Sequence, residues 1–516
     1  MPQTSETAQP PAPSPQPMTH RQILEVLAGL VSMLFVAMIS STIVSTALPT
    51  IIGALDGSQR AYTWVFTATL LAMTVSSPLW SKLADLFDKK RLLQLTGVVF
   101  LLGSLWAGFA RNVPELLAAR ALQGLGVGGL VALTQAVMGT IIAPRERGRY
   151  SGYMASAMAV ATVSGPLIGG LLVDTAGWRW CFFATVPFAI AGLLLIQRFL
   201  RLEPLRREVR IDWWGALSIS VAASLPLVWV SFAGKDFAWV SGASALFLAG
   251  TLAALGLAVL VERRHAEPVV PPRIIMERTT LLAVVASVAV GIAQFGGTVF
   301  LSQYLQVARG HAPTVAGLLM LPTIVGNMIS ATVSGKLITK TGAWKRYLLG
   351  GAVLLITGMV LLGTIDHRTP IWLLGVFMAL MGLGMGALMQ NLVLVVQNTV
   401  DVRDVGAASG VVGFFRSLGG TVGVAVLGAV LAARVSDEIH TGLAAAGITG
   451  PGAWTGSLDL SALPDPVLRV VRDAYADATG MVFLLAATAG AATLLAIWLM
   501  PEQELRTTVA KTDKRP

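Results

Sequence analysis

Fourteen long apolar segments constrain this chain more than any other feature of its sequence. A helix that crosses the hydrocarbon core of a bilayer, about 30 Å thick, needs roughly 20 predominantly apolar residues. Each of the fourteen runs is therefore predicted to be one membrane-spanning helix. Their predicted limits are 22–47, 62–84, 91–110, 114–142, 149–174, 180–200, 212–234, 240–262, 279–307, 313–339, 346–364, 370–398, 406–432 and 479–500.

The composition agrees with a polytopic membrane protein. Of the 516 residues, 55% are hydrophobic and only 12% are charged, whereas soluble domains carry about 25% charged residues. This balance excludes a disordered chain and a coiled coil and disfavours a soluble enzyme. The lone Cys181 excludes an internal disulfide and a zinc site built from several cysteines.

The basic residues predict how the spans are oriented. If the N-terminus is cytoplasmic, 26 of the 37 Lys and Arg residues fall on cytoplasmic segments and 9 on outer segments, while Arg120 and Arg416 lie within spans. Because Lys and Arg collect on cytoplasmic loops, both termini are predicted to be cytoplasmic in the plasma membrane. The net charge of +10 is then a sign of orientation, and no nucleic-acid partner is expected.

An internal repeat divides the spans into two halves. At an offset of 258 residues, the segment 148–152 reads G-R-Y-S-G and 406–410 reads G-A-A-S-G, and three glycines of span 4 recur in span 12. Parallel halves of this kind place a binding site at their interface near the bilayer midplane. The predicted units are a disordered cytoplasmic tail (1–21), an N-terminal six-helix bundle (22–200), a linker with spans 7 and 8 (201–278), a C-terminal six-helix bundle (279–500) with a long outer loop (433–478), and a cytoplasmic tail (501–516).

One part of the outer loop has helical apolar spacing. Residues 467–475 read V-L-R-V-V-R-D-A-Y. This pattern is compatible with a helix that lies on the outer leaflet or with a plain connector helix.

Four motifs occur in order on the predicted spans. They are S-K-L-A-D-L-F-D-K-K-R at 81–91, R-A-L-Q-G-L-G-V-G-G at 120–129, S-G-P-L-I-G-G at 164–170, and W-R-W-C-F-F-A-T-V-P-F at 178–188. A fifth motif, T-I-V-S-T-A-L-P-T-I at 42–51, precedes them on span 1. Over roughly residues 22–500 the chain resembles the fourteen-span drug:proton antiporters of the major facilitator superfamily. The resemblance implies an all-α integral membrane protein with the major facilitator fold, in which two six-helix bundles and two extra helices make fourteen transmembrane helices.

The resemblance also implies roles for residues in the first two motifs. Asp85 lies at the cytoplasmic end of span 2 and matches the acidic residue of the family's gating loop, although Ser81 and Asp88 stand where that loop has glycine. Arg120 and Gln123 match the family's proton-coupling motif on span 4. A guanidinium within a span costs about 2.5–3.5 kcal/mol on insertion scales, so Arg120 is expected to face a partner or water.

Span 5 carries small residues and a proline that weaken its helix. Gly165, Pro166, Gly169 and Gly170 fall midway along the span, where proline removes a backbone hydrogen bond and glycine allows a close helix approach. By resemblance to the exporters of the superfamily, this segment is a hinge and a seal. The alternative is a packing seam with no part in movement.

The proton carrier is not evident from the sequence. The related antiporters place Asp in span 1, at the position that Ser40 occupies here, and none of the 27 acidic residues falls in the middle of a span. Asp85 and Arg120 are therefore the remaining candidates for coupling, through a shared influence on the two conformations.

The interior of the predicted spans is mostly neutral. Polar groups in hydrocarbon are costly unless they line a cavity or pair with each other, and both readings remain open for each residue. Nearby Phe and Met side chains favour an adaptable apolar pocket and a lipophilic substrate. The candidate substrate-binding residues are Ser40, Ser41, Thr42, Gln294, Gln303, Asn327, Gln390, Asn391 and Arg416.

These features predict an ion-coupled exporter of lipophilic compounds such as drugs or antibiotics. No G-x-x-x-x-G-K-[ST] motif occurs, so an ion gradient, most simply of protons, is expected to drive export. No cofactor or metal is expected, and the chain is expected to work as a monomer in the lipid bilayer. The alternatives are a lipid or metabolite exporter, a nutrient importer, a membrane-embedded transferase and a receptor or sensor.

Overall fold

The computed structural model describes residues 20–141, 147–200, 213–233, 237–238, 240–264, 272–400, 405–446 and 464–502. Within these residues the regular elements are helices, with one isolated bridge between Ala233 and Phe237. The helices are α1 (His20–Ala54), α2 (Gln59–Leu86), α3 (Lys89–Phe109), α4 (Val113–Ile141), α5 (Arg147–Thr175), α6 (Trp180–Phe183), α7 (Thr185–Phe199), α8 (Trp213–Phe232), α9 (Gly242–Arg264), α10 (Pro272–Ile275), α11 (Arg278–Gln303), α12 (Pro313–Leu319), α13 (Leu321–Thr341), α14 (Lys345–Leu362), α15 (Ile371–Thr399), α16 (Val405–Ala445) and α17 (Asp465–Leu499). A π-helical turn, Tyr304–Ala308, continues α11.

Polar residues define several helix ends. The Ser58 hydroxyl accepts a hydrogen bond from the backbone N–H of Ala61 at the start of α2. The Asp88 carboxylate accepts one from the N–H of Lys90, 2.8 Å away, at the start of α3. Gly342, with φ of +71°, ends α13 in the left-handed conformation. These side chains and this glycine satisfy or redirect backbone groups that a helix leaves unpaired at its ends.

Eleven helical stretches in the described part of the chain are long and apolar enough to cross a membrane. Helices α2, α5 and α8 overlap predicted spans 2, 5 and 7 but are not among these eleven. The structure therefore gives an all-helical, multi-span architecture, and the count of fourteen spans stays a prediction.

Two groups of helices pack in the same pattern. In the first group α1 packs on α5 and α7, and α4 packs on α2 and α3; in the second group α11 packs on α16 and α17, and α15 packs on α13 and α14. The helices correspond in chain order, as the glycine repeat predicts. We refer to α1–α7 as the N-terminal bundle and to α11–α17 as the C-terminal bundle. Helices α8 and α9 pack on each other, and α8 also contacts α2 and α16.

Within the described residues, both ends of the predicted outer loop 433–478 are helical, and its place outside the membrane stays a prediction. Helix α16 continues to Ala445, and α17 begins at Asp465 and includes the segment 467–475. The physical reason is a continued apolar face: Val435, Ile439 and Leu443 are buried at helical spacing. A Cβ built on Gly442 would lie 2.6 Å from Cγ1 of Val470, so the two helices pack together beyond the predicted end of span 13.

Candidate functional site

A buried hydrogen-bond network surrounds Arg120 in the N-terminal bundle. An Nη1–H of Arg120 donates to Oε1 of Gln123. The Gln123 amide in turn donates to Ser40 Oγ on α1, at 3.1 Å, and to Ser104 Oγ on α3, at 2.7 Å. Arg120, Gln123 and Ser40 are each 1% exposed. The network thus connects three helices of the N-terminal bundle through neutral acceptors.

The charge of Arg120 has no carboxylate partner within the described residues. No salt bridge there includes it, and its Nε–H has no hydrogen-bond acceptor. Asp85 lies in the last turn of α2, and its side chain is outside the described part of the structure. The structure therefore brings Arg120, Gln123 and Ser40 together and leaves the predicted Asp85 contribution untested.

The small residues of α5 contact a different bundle on each side. A Cβ built on Gly165 would lie 1.8 Å from Thr42 Oγ1 of α1. A Cβ built on Gly170 would lie 2.3 Å from the Thr314 Cα of α12, and one on Gly317 of α12 would lie 2.5 Å from Cβ of Pro166. The α5 segment thus packs against its own bundle through Gly165 and against the C-terminal bundle through Gly170 and Pro166.

The two bundles meet closely at the end of the molecule that carries the α1–α2 connection, which we call the α1–α2 end. Gln59 of α2 and Gln303 of α11 exchange two amide hydrogen bonds, and Tyr475 Oη of α17 donates to Gln59 Oε1 at 3.3 Å. Gln59, Gln303 and Tyr475 are all buried. This reciprocal amide pair holds the bundles together without any formal charge.

Three further hydrogen bonds cross the bundles at the α1–α2 end. They run from Tyr62 Oη to the Val299 carbonyl (3.2 Å), from Gln306 Nε2 to the Thr46 carbonyl (2.9 Å), and from Thr314 Oγ1 to Asp174 Oδ2 (2.7 Å). Sequence reasoning missed the residues on the N-terminal side of these contacts. The polar run at 58–63, between two apolar segments, was the signal that could have indicated Tyr62.

A small cavity lies between the bundles, on the side of these contacts that is further from the α1–α2 end. Its volume is about 50 Å³. Among the predicted substrate residues, Thr42 and Gln294 line it, together with side chains of α1, α5, α11, α13 and α15. Two buried atoms of its lining, Gln294 Oε1 and Thr323 Oγ1, have no hydrogen-bond partner in the part of the chain that the structure describes. The remaining lining residues are Ser45, Thr46, Pro166, Gly297, Thr298, Leu301, Met320, Ile324, Met381 and Met385.

The other predicted substrate residues occupy different settings. Ser40 and Gln303 are engaged in the Arg120 network and the amide pair, and Asn391 Nδ2 donates to Ser334 Oγ (2.9 Å) and to the Ala387 carbonyl (2.7 Å). Ser41 is half-buried and Gln390 is exposed. Asn327 and Arg416 both contact Met389, through its sulfur and its carbonyl oxygen respectively.

Two helical bundles that enclose a cavity, with contacts concentrated at one end, are the architecture typical of a membrane transporter. The profile of the Major Facilitator Superfamily matches residues 30–424, and the chain belongs to this superfamily. It is therefore a transporter of small molecules rather than an enzyme.

Comparison with other proteins points to efflux-type relatives. An uncharacterized MFS-type transporter of Mycobacterium tuberculosis is 33% identical over 461 residues, which cover 89% of this chain and 67% of that protein. Multidrug transporter protein MdtP of Bacillus subtilis is 32% identical over 414 residues, covering 79% and 75%. Multidrug resistance protein 3 of Bacillus subtilis is 27% identical over 500 residues, covering 95% and 97%.

Solved structures support the fold. A bacterial homologue of the human lysosomal transporter Spinster, in an inward-facing and unoccupied conformation, has a TM-score of 0.66 at 15% identity, covering 93% of this chain and 98% of that one. The xylose transporter XylE from E. coli, in a partially occluded inward-open conformation, has a TM-score of 0.60 at 13% identity, covering 95% and 100%.

Proposed function

We propose that this protein exports lipophilic small molecules, such as drugs or antibiotics, across the plasma membrane by alternating access, in exchange for protons. The observation that carries the proposal is the cavity between the bundles. Its lining combines uncharged hydrogen-bonding groups with Met side chains, which adapt to substrates of different shape. Relatives named as a multidrug transporter and a multidrug resistance protein support drugs as the class of substrate.

In this proposal the protein crosses the membrane fourteen times, with both termini in the cytoplasm. The α1–α2 end then faces outward, and the closed contacts there make the structure an inward-facing form. The protein works as a monomer. Export requires the amide pair of Gln59 and Gln303 and the contact between α5 and α12 to separate, while contacts form at the opposite end.

The proposed roles follow from the geometry and from the superfamily motifs. Arg120 and Gln123, with Asp85, couple the proton gradient to the movement of the bundles. Gly165, Pro166, Gly169 and Gly170 make α5 the hinge and seal. Thr42 and Gln294 bind substrate in the cavity, and Asn327 and Arg416 bind it one turn further along the path.

A flux measurement in inside-out vesicles tests the proposal. The vesicle membranes contain the purified protein, a lipophilic fluorescent dye is added outside the vesicles, where the cytoplasmic face is exposed, and a pH gradient with an acidic lumen is imposed. Export coupled to protons predicts dye movement that depends on the protein and stops when an ionophore collapses the gradient. Dye movement that is identical in vesicles without the protein contradicts the proposed function.

A further inference from the structure

Arg416 places a positive charge well inside predicted span 13 (406–432). With a rise of 1.5 Å per residue, it lies about 16 Å along α16 from the first residue, Val405, and the hydrocarbon core is about 30 Å thick. Close packing fixes its backbone, because a Cβ built on Gly291 of α11 would lie 1.9 Å from the Arg416 carbonyl oxygen. The side chain is half-buried. The charge is therefore held at depth and is not free to move to a membrane surface.

The guanidinium of Arg416 lies next to the cavity between the bundles. Its Nη1 donates to the Met389 carbonyl of α15 at 3.3 Å, and the Met389 sulfur accepts from Asn327 Nδ2 of α13 at 3.8 Å. Thr323 and Met385 line the cavity, and Asn327 and Met389 are the residues one helical turn further on these two helices. Side chains four residues apart lie on the same helix face. Arg416 therefore lies one helical turn beyond the cavity lining, on the side that is further from the α1–α2 end.

No negative charge balances this site within the described residues. None of the salt bridges there includes Arg416 or Arg120, and the sequence places no acidic residue in the middle of a predicted span. Arg416 has a single neutral acceptor, the Met389 carbonyl, among the hydrogen bonds described for its side chain. A guanidinium has five N–H donors, so several remain for a ligand. The potential in this part of the cavity is positive.

We propose that the preferred substrates are lipophilic anions, whose acidic oxygen atoms bind the Arg416 guanidinium while their apolar part packs against the Met side chains between the bundles. Arginine recognises a carboxylate with two parallel hydrogen bonds, and an uncompensated cation in a low-dielectric site repels cationic molecules. Outward movement of an anion is also favoured by a membrane potential that is negative inside. The inference rests on the proposed export function and adds the charge of the substrate.

The test uses three forms of one fatty-chain fluorescent dye that differ only in the head group: carboxylate, carboxamide and trimethylammonium. Their flux is measured in inside-out vesicles with equal amounts of the wild type, Arg416→Gln, Arg416→Lys and Arg434→Gln. We expect the wild type to move the carboxylate dye fastest and the ammonium dye slowest. In Arg416→Gln, carboxylate flux should fall roughly tenfold relative to carboxamide flux, as expected for the loss of a charged hydrogen-bonding partner.

Two variants separate recognition from folding. Arg416→Lys keeps the charge and should retain the order of the three dyes. Arg434→Gln removes an Arg from the same helix, where its side chain is 54% exposed and pairs with Glu438, and should leave all three fluxes unchanged. If Arg416→Gln does not accumulate, the dye preference of the wild type and of Arg416→Lys decides the question.

Two results would overturn the inference while leaving export intact. One is wild-type flux that favours the ammonium dye over the carboxylate dye. The other is an equal fall for all three dyes in a well-folded Arg416→Gln, which indicates a purely structural arginine. Absence of gradient-dependent flux for every dye in the wild type contradicts the proposed export function itself.

Discussion

At the scale of single residues, Arg120 is unusual because its buried charge is solvated by neutral groups alone in the described part of the structure. Gln123 links it to Ser40 and Ser104, so a change at Arg120 is transmitted to α1 and α3. An arginine buried in this way is expensive to insert and contributes little to stability without a partner. We therefore propose that Arg120 serves transport rather than folding.

We expect Arg120→Ala to lower pH-driven flux by more than tenfold while the protein accumulates normally. The substitution removes an insertion cost of about 2.5–3.5 kcal/mol, so the folded protein should tolerate it. The measurement compares dye flux in vesicles that contain equal amounts of protein. Arg111→Ala, which changes an exposed arginine just before α4, is the control and should retain full flux. Normal pH-driven flux in Arg120→Ala would remove this residue from the coupling machinery.

The amide pair between Gln59 and Gln303 predicts a second effect of a single substitution. Gln303→Leu leaves the buried Nε2–H of Gln59 without its acceptor, at a cost of about 1–3 kcal/mol, while Tyr475 still donates to Gln59 Oε1. This cost applies only while the α1–α2 end is closed. The equilibrium should therefore shift roughly tenfold toward the form that is open at this end. A cysteine introduced at Ser302 should then react faster with a water-soluble maleimide.

The chain offers a matched control for this experiment. Gln94 of α3 donates to Gln197 of α7 at 2.6 Å, which is an amide pair within one bundle. Gln197→Leu should leave the reaction at Ser302→Cys unchanged. The native Cys181 is buried, so it contributes little background. Equal reaction rates in Gln303→Leu and the parent would mean that the amide pair does not hold the end closed.

At the scale of helices, α5 joins the two bundles through very close backbone contacts. Because a Cβ on Gly170 would lie 2.3 Å from the Cα of Thr314, even alanine requires α5 and α12 to move apart. We expect Gly170→Ala to hold the α1–α2 end open and to lower transport several-fold. Labelling of a cysteine at Thr314 and vesicle flux together measure the effect.

Gly256→Ala is the control for the α5 prediction. Gly256 lies on α9, and a Cβ built there meets no atom within 4 Å, so flux and labelling should stay at the parent level. A Gly170→Ala protein with parent-level flux and labelling would show that α5 and α12 do not need this close approach.

The sequence predicted helices better than it predicted the partners of their side chains. Long apolar runs determine where helices lie, and the glycine repeat indicated that the two bundles share one packing pattern. Gln303 was expected to face substrate, but its partner Gln59 lies 244 positions away, and no local pattern connects them. Span 13 was predicted to end at residue 432, whereas α16 continues to Ala445. After residue 432, polar residues alternate with apolar ones in a pattern typical of a loop. The apolar residues are recognised as a buried helix face only when α17 is placed beside them.

At the scale of the whole molecule, the described hydrogen bonds between the two bundles lie at the α1–α2 end. They involve α1, α2 and α5 on one side and α11, the π-helical turn, α12 and α17 on the other. One end is therefore sealed by direct contacts, which is the arrangement that alternating access requires of a single conformation.

The last prediction concerns how this molecule is placed in the membrane. The excess of basic residues on one set of connections predicts cytoplasmic termini, and an even number of spans then places the connections between α8 and α9 and between α16 and α17 outside. Val240, which is 97% exposed between α8 and α9, is the most informative position. If α8 and α9 cross the membrane, Val240→Cys should react with an impermeant maleimide on intact cells, as should Thr441→Cys. Arg21→Cys, in the first turn of α1, should react only after permeabilisation. The count falls to twelve spans if Val240→Cys reacts only in permeabilised cells while Thr441→Cys is still labelled from outside. The orientation is inverted if Arg21→Cys reacts on intact cells and Thr441→Cys reacts only after permeabilisation.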